Sequence, residues 1–257
     1  MNIKLLGAAC ALTLGSAGAM AQVGAGFQIT SFSHVVSGGT LSWVDDSRFV
    51  ELAVESKEAG GLGGNDVDSA MEAASLSTQV AHASAQASGT ASGLLAGRVT
   101  ATPSFVDAFA QPHQGEASAF SGGAFTLSQA GTVTFTVNYT LDATSPLNQP
   151  LYSYGFAELV FGAGNYDTNA IDQLTDRIDS VQEAGGSGMR NGSFTLTVAM
   201  EGPQQMGYYS FNGNAFASAV TAVPEPSEWA LMLAGLGVLG GWRLRQQRRA
   251  GRQEVAA

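Results

Sequence analysis

Residues 132–141 read TVTFTVNYTL, and they constrain the fold more than any other stretch of the chain. Val133, Phe135, Val137, Tyr139 and Leu141 fall on one side of an extended backbone, with Thr132, Thr134, Thr136, Asn138 and Thr140 on the other. A helix would scatter these side chains around its axis. An antiparallel strand lays the apolar set against a core and leaves the polar set to water. The same alternation places Phe194, Leu196, Val198 and Met200 against Ser193, Thr195, Thr197 and Glu201, and Val50, Leu52 and Val54 against Glu51 and Glu55. Tyr152, Tyr154 and Phe156 mark another strand, and Tyr209, Phe211 and then Phe216 a last pair around an Asn212-Gly213-Asn214 turn.

Two stretches are less plain. VAHASAQASGTASG (80–93) alternates Ala81, Ala83, Ala85, Ala87, Gly89 and Ala91 with polar residues. Alanine favours helix, yet the period reads as a strand whose small-residue face lets another layer approach closely. In AIDQLTDRIDSV (170–181), Ile171, Leu174, Ile178 and Val181 share one helical face, with Asp172, Asp176 and Asp179 on another, which predicts a short helix. GGLGGND (60–66) reads as a loop, and Gly186-Ser187-Gly188 as a flexible turn. The expected fold is all-β: an antiparallel β-sandwich, jelly-roll-like, with one short helix.

Composition narrows the function of this body. Residues 22–223 hold 18 Asp and Glu against Arg48, Lys57, Arg98, Arg177 and Arg190, a formal excess of 13 negative charges. Such a field repels nucleic acid and anionic membrane surfaces. The single cysteine, Cys10, lies in the N-terminal apolar run, so a body starting at residue 22 has neither disulfide nor thiolate chemistry and is held together by its core.

The two ends carry addresses. Lys4, an apolar run from Leu5 to about Ala17, and Ala19-Met20-Ala21 form a secretory signal peptide over residues 1–21, with Ala19 and Ala21 as the small residues of the cleavage site. Near the other end, Trp229 to Trp242 is an apolar run worth about 21 Å of helix against roughly 30 Å of hydrocarbon. Interfacial tryptophans, flanking residues that extend the helix and snorkelling arginines make up the difference. Arg243, Arg245, Arg248, Arg249 and Arg252 place that side in the cytoplasm, with 250–257 as a cytoplasmic tail and the body outside. Gly235 to Gly240 matches GxGxxG, but it follows no strand and opens no βαβ unit, so it is not a dinucleotide site.

Pro224-Glu225-Pro226, the apolar helix and the arginine cluster, together spanning 224–249, resemble the PEP-CTERM sorting signal of Gram-negative bacteria, a region also labelled an ice-binding protein C-terminal domain. The resemblance implies recognition of Pro224, Glu225 and Pro226 by an exosortase, a membrane cysteine transpeptidase that cleaves near the motif, after export through the Sec machinery. It also implies a transient inner-membrane anchor facing the periplasm, then a cell-surface or extracellular product linked to exopolysaccharide and biofilm matrix. The prolines fit this reading physically: they bias the preceding residues to extended conformations and display a protease-accessible segment outside the bilayer.

No catalytic constellation stands out. His34, His82 and His113 lie far apart in the chain without ligand spacing, no GxSxG elbow occurs, and no cofactor motif survives scrutiny, so the expectation is a non-enzymatic protein without metal or cofactor. Paired carboxylates of a glycan hydrolase or lyase remain open, because their separation belongs to the fold. Asn65, Asp66 and Asp68 offer hard oxygen ligands to calcium, though an acidic exposed turn explains them as well. The threonines at 132–136 resemble an ice-binding rank, but only Thr195 and Thr197 offer a second, shorter one, and threonine on the solvent side of a strand needs no special function. Tyr152, Tyr154, Tyr208 and Tyr209 make a candidate sugar-stacking platform, the alternative being that they are core aromatics.

Overall fold

The computed structural model describes residues 22–58, 63–103, 112–145, 153–181 and 186–220, together with Ala234 and Leu236. The chain runs β1 (Val23–Ser37), β2 (Leu41–Trp43), β3 (Phe49–Lys57), β4 (Gly63–Ala70), β5 (Ala73–Gln79), β6 (Ala83–Thr90), β7 (Leu95–Ala101), β8 (His113–Leu127), β9 (Gly131–Thr144), β10 (Tyr154–Asn165), β11 (Ala170–Asp179), β12 (Ser187–Met200) and β13 (Gly207–Ala219). One sheet has the order β12-β9-β1-β7-β6-β5 and the other β11-β10-β13-β8-β3-β4, with β2 also paired to β8. All pairings are antiparallel. The inner faces pack on each other as a β-sandwich.

The expected alternation decides which side chains enter the core. Val133, Phe135, Val137, Tyr139 and Leu141 of β9 are buried, as are Phe194, Leu196, Val198 and Met200 of β12 and Val50, Leu52 and Val54 of β3. Each fully buried Val, Leu or Phe contributes roughly 1.5–3 kcal/mol, and in a body without cysteine this burial is the main stabilising term. On β1 the parity changes once. Phe27 and Ile29 point inward, a bulge at Thr30 inserts one residue, and Phe32 then takes the inward position against Phe135, Tyr209 and Phe211. The small-residue face of β6 is real: Ala83, Ala85 and Ala87 are buried, and a Cβ on Gly89 would lie 2.6 Å from Val50 Cγ2 of the facing sheet.

Glycine also serves the aromatic residues. A Cβ on Gly97 would come within 2.3 Å of the Phe27 ring, and one on Gly213 within 2.2 Å of it from the opposite sheet. The Phe27 ring is therefore clamped between two glycines, a seat that no other residue type leaves open.

The short helix predicted over 170–181 is instead β11, an edge strand paired to β10. Leu174 and Ile178 share strand parity as readily as a helical face, and Asp176 between them is held inward by Tyr139, whose hydroxyl donates to Asp176 Oδ2 at 2.7 Å. A polar residue on the inner face hid the period of two. Asp172, Asp176 and Asp179 are accordingly not the wet face of a helix. The Asn212-Gly213-Asn214 turn is absent as well, since β13 runs straight through it with Gly213 inward over Phe27. Gly63 to Asp66, read as loop, belong to the edge strand β4, and Ser187 and Gly188 open β12 after Gly186 at φ 69°.

Both ends of the body emerge at one pole. Val23 pairs with Ala101 and Ala219 with His113, while Gly155, paired to Ala217, lies against the Gly24 carbonyl across the sandwich. The opposite pole carries the 166–169 turn, where β10 ends at Asn165 opposite Gly207. Among the described residues no helix is long and apolar enough to cross a membrane. The anchor predicted for 229–242 lies outside the described residues except for Ala234 and Leu236, both helical.

Candidate functional site

The outer face of the β11-to-β4 sheet carries a trough built by strand register. Phe49, Gly122, Ser210 and Gly162 follow one another across β3, β8, β13 and β10, a row whose middle is almost bare of side chain. The rows on either side bring Phe120 and Tyr208 to its flanks. Phe49 and Phe120 pair at 5.5 Å between ring centroids, and Tyr166 and Tyr208 at 4.4 Å with a 31° tilt. The space they enclose with Met206 is about 570 Å³.

Tyr166 is 59% exposed yet firmly placed. Its amide donates to the Met206 carbonyl at 2.9 Å and the Met206 amide to Asp167 Oδ2 at 2.7 Å, while Asn165 Nδ2 donates to the Ala199 carbonyl and to Gln205 Oε1. The turn is thus hydrogen-bonded to its neighbouring loop. Burial, with Tyr166 beside it, pushes the Tyr208 hydroxyl above its ordinary value, so Tyr208 stays a neutral donor. Two aromatic walls over a glycine floor suit a flat apolar ring with polar edges.

The outer face of the other sheet holds a groove of about 480 Å³ with different chemistry. Asp142, Gly26, Arg98 and Gln86 stand in one cross-strand row, and Thr140, Gln28, Ala96 and Ser88 in the next. Burial raises the Asp142 carboxyl, and Arg98 partly offsets it. This surface offers hydrogen bonds and no ring to stack on, since Phe27 points into the core. Farther along the face, Thr136 pairs with Thr195 and Thr134 with Thr197, but the hydroxyls turn sideways: Thr134 Oγ1 and Thr197 Oγ1 lie 2.9 Å apart, and Thr140 donates to Asn191 Oδ1.

Of the four tyrosines singled out by sequence, Tyr208 lines the trough. Tyr154 stands exposed at the other pole beside Phe216, where Arg177 covers the neighbouring Phe156 at 4.1 Å. Tyr209 is a core residue, 1% exposed, whose hydroxyl donates to the Ala91 carbonyl, so it is not part of a sugar platform. Tyr152 lies outside the described residues. Phe49, Phe120 and Tyr166 complete the trough from outside that set. Phe49 was legible, because it has the outward parity of a strand whose inward residues are Val50, Leu52 and Val54.

Two histidines separated in sequence meet in space. The Nδ1 atoms of His82 and His113 lie 3.1 and 2.9 Å from Glu58 Oε2, and Glu58 Oε1 accepts the His82 amide at 2.6 Å. Burial raises the Glu58 carboxyl, but the His82 hydrogen bonds and the two imidazoles outweigh it and hold the group below its ordinary value. Burial lowers the His113 imidazole, with Glu58 only partly countering it. His34 stays apart, edge-on to Trp43. Asn65, Asp66 and Asp68 are exposed on β4, with Asp66 Oδ1 accepting from the Val67 amide.

Ala19, Ala21, Pro224, Glu225, Pro226, Trp229, Trp242, Arg243, Arg245, Arg248 and Arg249 all lie outside the described residues. No curated protein sequence matches the chain. One solved structure, from work on the promiscuous specificity of carbohydrate-binding modules of the β-sandwich superfamily, aligns at 8% identity over 75% of this chain and 95% of that one. Its TM-score of 0.11 is too low to carry an argument. The terminal signal is different, because residues 222–249 match the family profile described as the PEP-CTERM protein-sorting motif. The chain therefore carries a PEP-CTERM sorting motif at its C-terminal end, which implies export and an exosortase as its processing partner.

Proposed function

We propose that this chain is a non-enzymatic protein of the cell surface or extracellular matrix. It is exported through the Sec machinery, held briefly in the inner membrane with its body in the periplasm, and cut near Pro224-Glu225-Pro226. The observation that carries this reading is the PEP-CTERM match at residues 222–249, behind a body whose last described strand ends at Ala219. Intact-mass measurement of the mature protein from cells that make an exosortase is the test. A product that has lost Arg243 to Arg252 supports the reading, and a product that retains the arginine tail overturns it.

The body's task within that setting is to hold exopolysaccharide in the trough of Phe49, Phe120, Tyr166 and Tyr208. An exposed Tyr166 stacked on a half-buried Tyr208 over a bare floor is what favours sugar binding over a purely structural role: a pyranose presents an apolar face to the ring and hydroxyls to Ser210 and the trough rim. A glycan array probed with the processed protein tests it. Binding by the parent that is lost in Tyr166→Ala and Tyr208→Ala supports the reading, and an array without a hit leaves the structural role alone. Reducing-end release from any bound polysaccharide would instead mark a hydrolase or lyase.

A further inference from the structure

We infer that Glu58, His82 and His113 form a binding site for a late first-row divalent cation, zinc being the best fit. One ligand atom from each of the three lies within 4.8 Å of the others, and both imidazole Nδ1 atoms face the same carboxylate oxygen. Two nitrogens and one carboxylate oxygen are the donor set of zinc and its neighbours. Calcium and magnesium prefer oxygen alone. The rings stand 4.7 Å apart and tilted 38°, so a small inward movement would bring three atoms to zinc distance, with water as the fourth ligand. Each imidazole binds as the neutral ring with its proton on Nε2.

The second shell is already in place. Glu58 Oε1 is fixed by the His82 amide, and the His82 carbonyl accepts from the Thr102 amide, which orients the turn carrying His82. The position gives the ion a structural task. Glu58 follows β3 and His113 opens β8, both in one sheet, whereas His82 lies in the β5–β6 turn of the other. A bound ion clips the two sheets together at the pole where the body begins and ends, in a protein with no disulfide to do so. This site is independent of the sugar-binding trough, which lies at the other pole.

The test uses the full chain in detergent, without a histidine tag, stripped with EDTA and dialysed against zinc chloride. One zinc per chain by mass spectrometry is expected, with a rise in Tm of about 5–10 °C at zinc a hundredfold above its Kd. Cobalt substitution should give the visible absorption of a four-coordinate ion. His113 is buried and its replacement risks misfolding, so the informative variants are His82→Gln and Glu58→Gln, at more accessible positions. Each should abolish the stoichiometric zinc and the Tm shift. Absence of zinc uptake by the parent, or equal uptake by both variants, overturns the assignment and leaves a hydrogen-bonded cluster.

Discussion

Gly213→Ala is the most demanding test of how this sandwich is packed. The added methyl carbon would sit 2.2 Å from Phe27 Cε2, where ordinary carbon–carbon contact is about 3.5–4.0 Å. The ring must retreat by more than about 1 Å, and Gly97 closes the other side, where the clearance to a Cβ would be only 2.3 Å. With no room to yield, the substitution should cost near the top of the overpacking range, about 2–3 kcal/mol. Phe27→Ala alone should cost about 3–5 kcal/mol for the lost ring and the void it leaves. In the double variant the methyl enters that void, so Gly213→Ala should become nearly neutral there, a coupling of about 2 kcal/mol. Urea unfolding of residues 22–221, followed by the fluorescence of Trp43, reads this directly, because Trp43 packs on Phe125 and Tyr209. With an m-value of about 2 kcal/mol/M, the midpoint of Gly213→Ala should fall by about 1–1.5 M. A shift below about 0.25 M, or an equal loss in the Phe27→Ala background, would refute the clamp.

The remaining expectations concern charge, sugar and processing. Although burial raises it, the Asp176 carboxyl is held below the ordinary aspartate value by the Tyr139 hydroxyl and Arg190. Its contribution to stability is therefore whole above the unfolded value of about 3.9 and fades as pH falls through the lower folded one. Asp176→Asn should lower the urea midpoint at pH 6 and converge with the parent near about pH 2; an equal gap at both pH values would show that the loss is one of shape. Tyr166→Ala should weaken glycan binding at least about tenfold while leaving the urea midpoint within about 0.25 M of the parent, since an exposed ring adds little to the fold. Binding and stability falling together would instead mark Tyr166 as a structural residue. Glu225→Ala should leave the tail uncleaved in the intact mass, and normal cleavage would place recognition elsewhere in residues 222–249.

Where alternation was unbroken, the fold could be read directly, as in β9, β12 and β3. It failed where one residue served two interests. Asp176 occupies an inward position of β11 because it binds Tyr139 and Arg190, and so the strand read as a helix. Gly213 looked like turn punctuation because a glycine under an aromatic ring is indistinguishable, in sequence, from one at a bend. The candidate sites were the least legible. The trough depends on which strand lies beside which, and the approach of His82 and His113 depends on the two sheets closing over β6 and β8. Linear spacing records neither.

The poles of the sandwich separate the end of the body from its aromatic face. From Ala219 back along β13 to Tyr208 is roughly 35 Å at about 3.3 Å per residue, so the last described strand ends at the pole away from the aromatic trough. A cut beyond Val220 would remove nothing that the trough is made of. The full-length and the shortened chain therefore carry the identical aromatic surface.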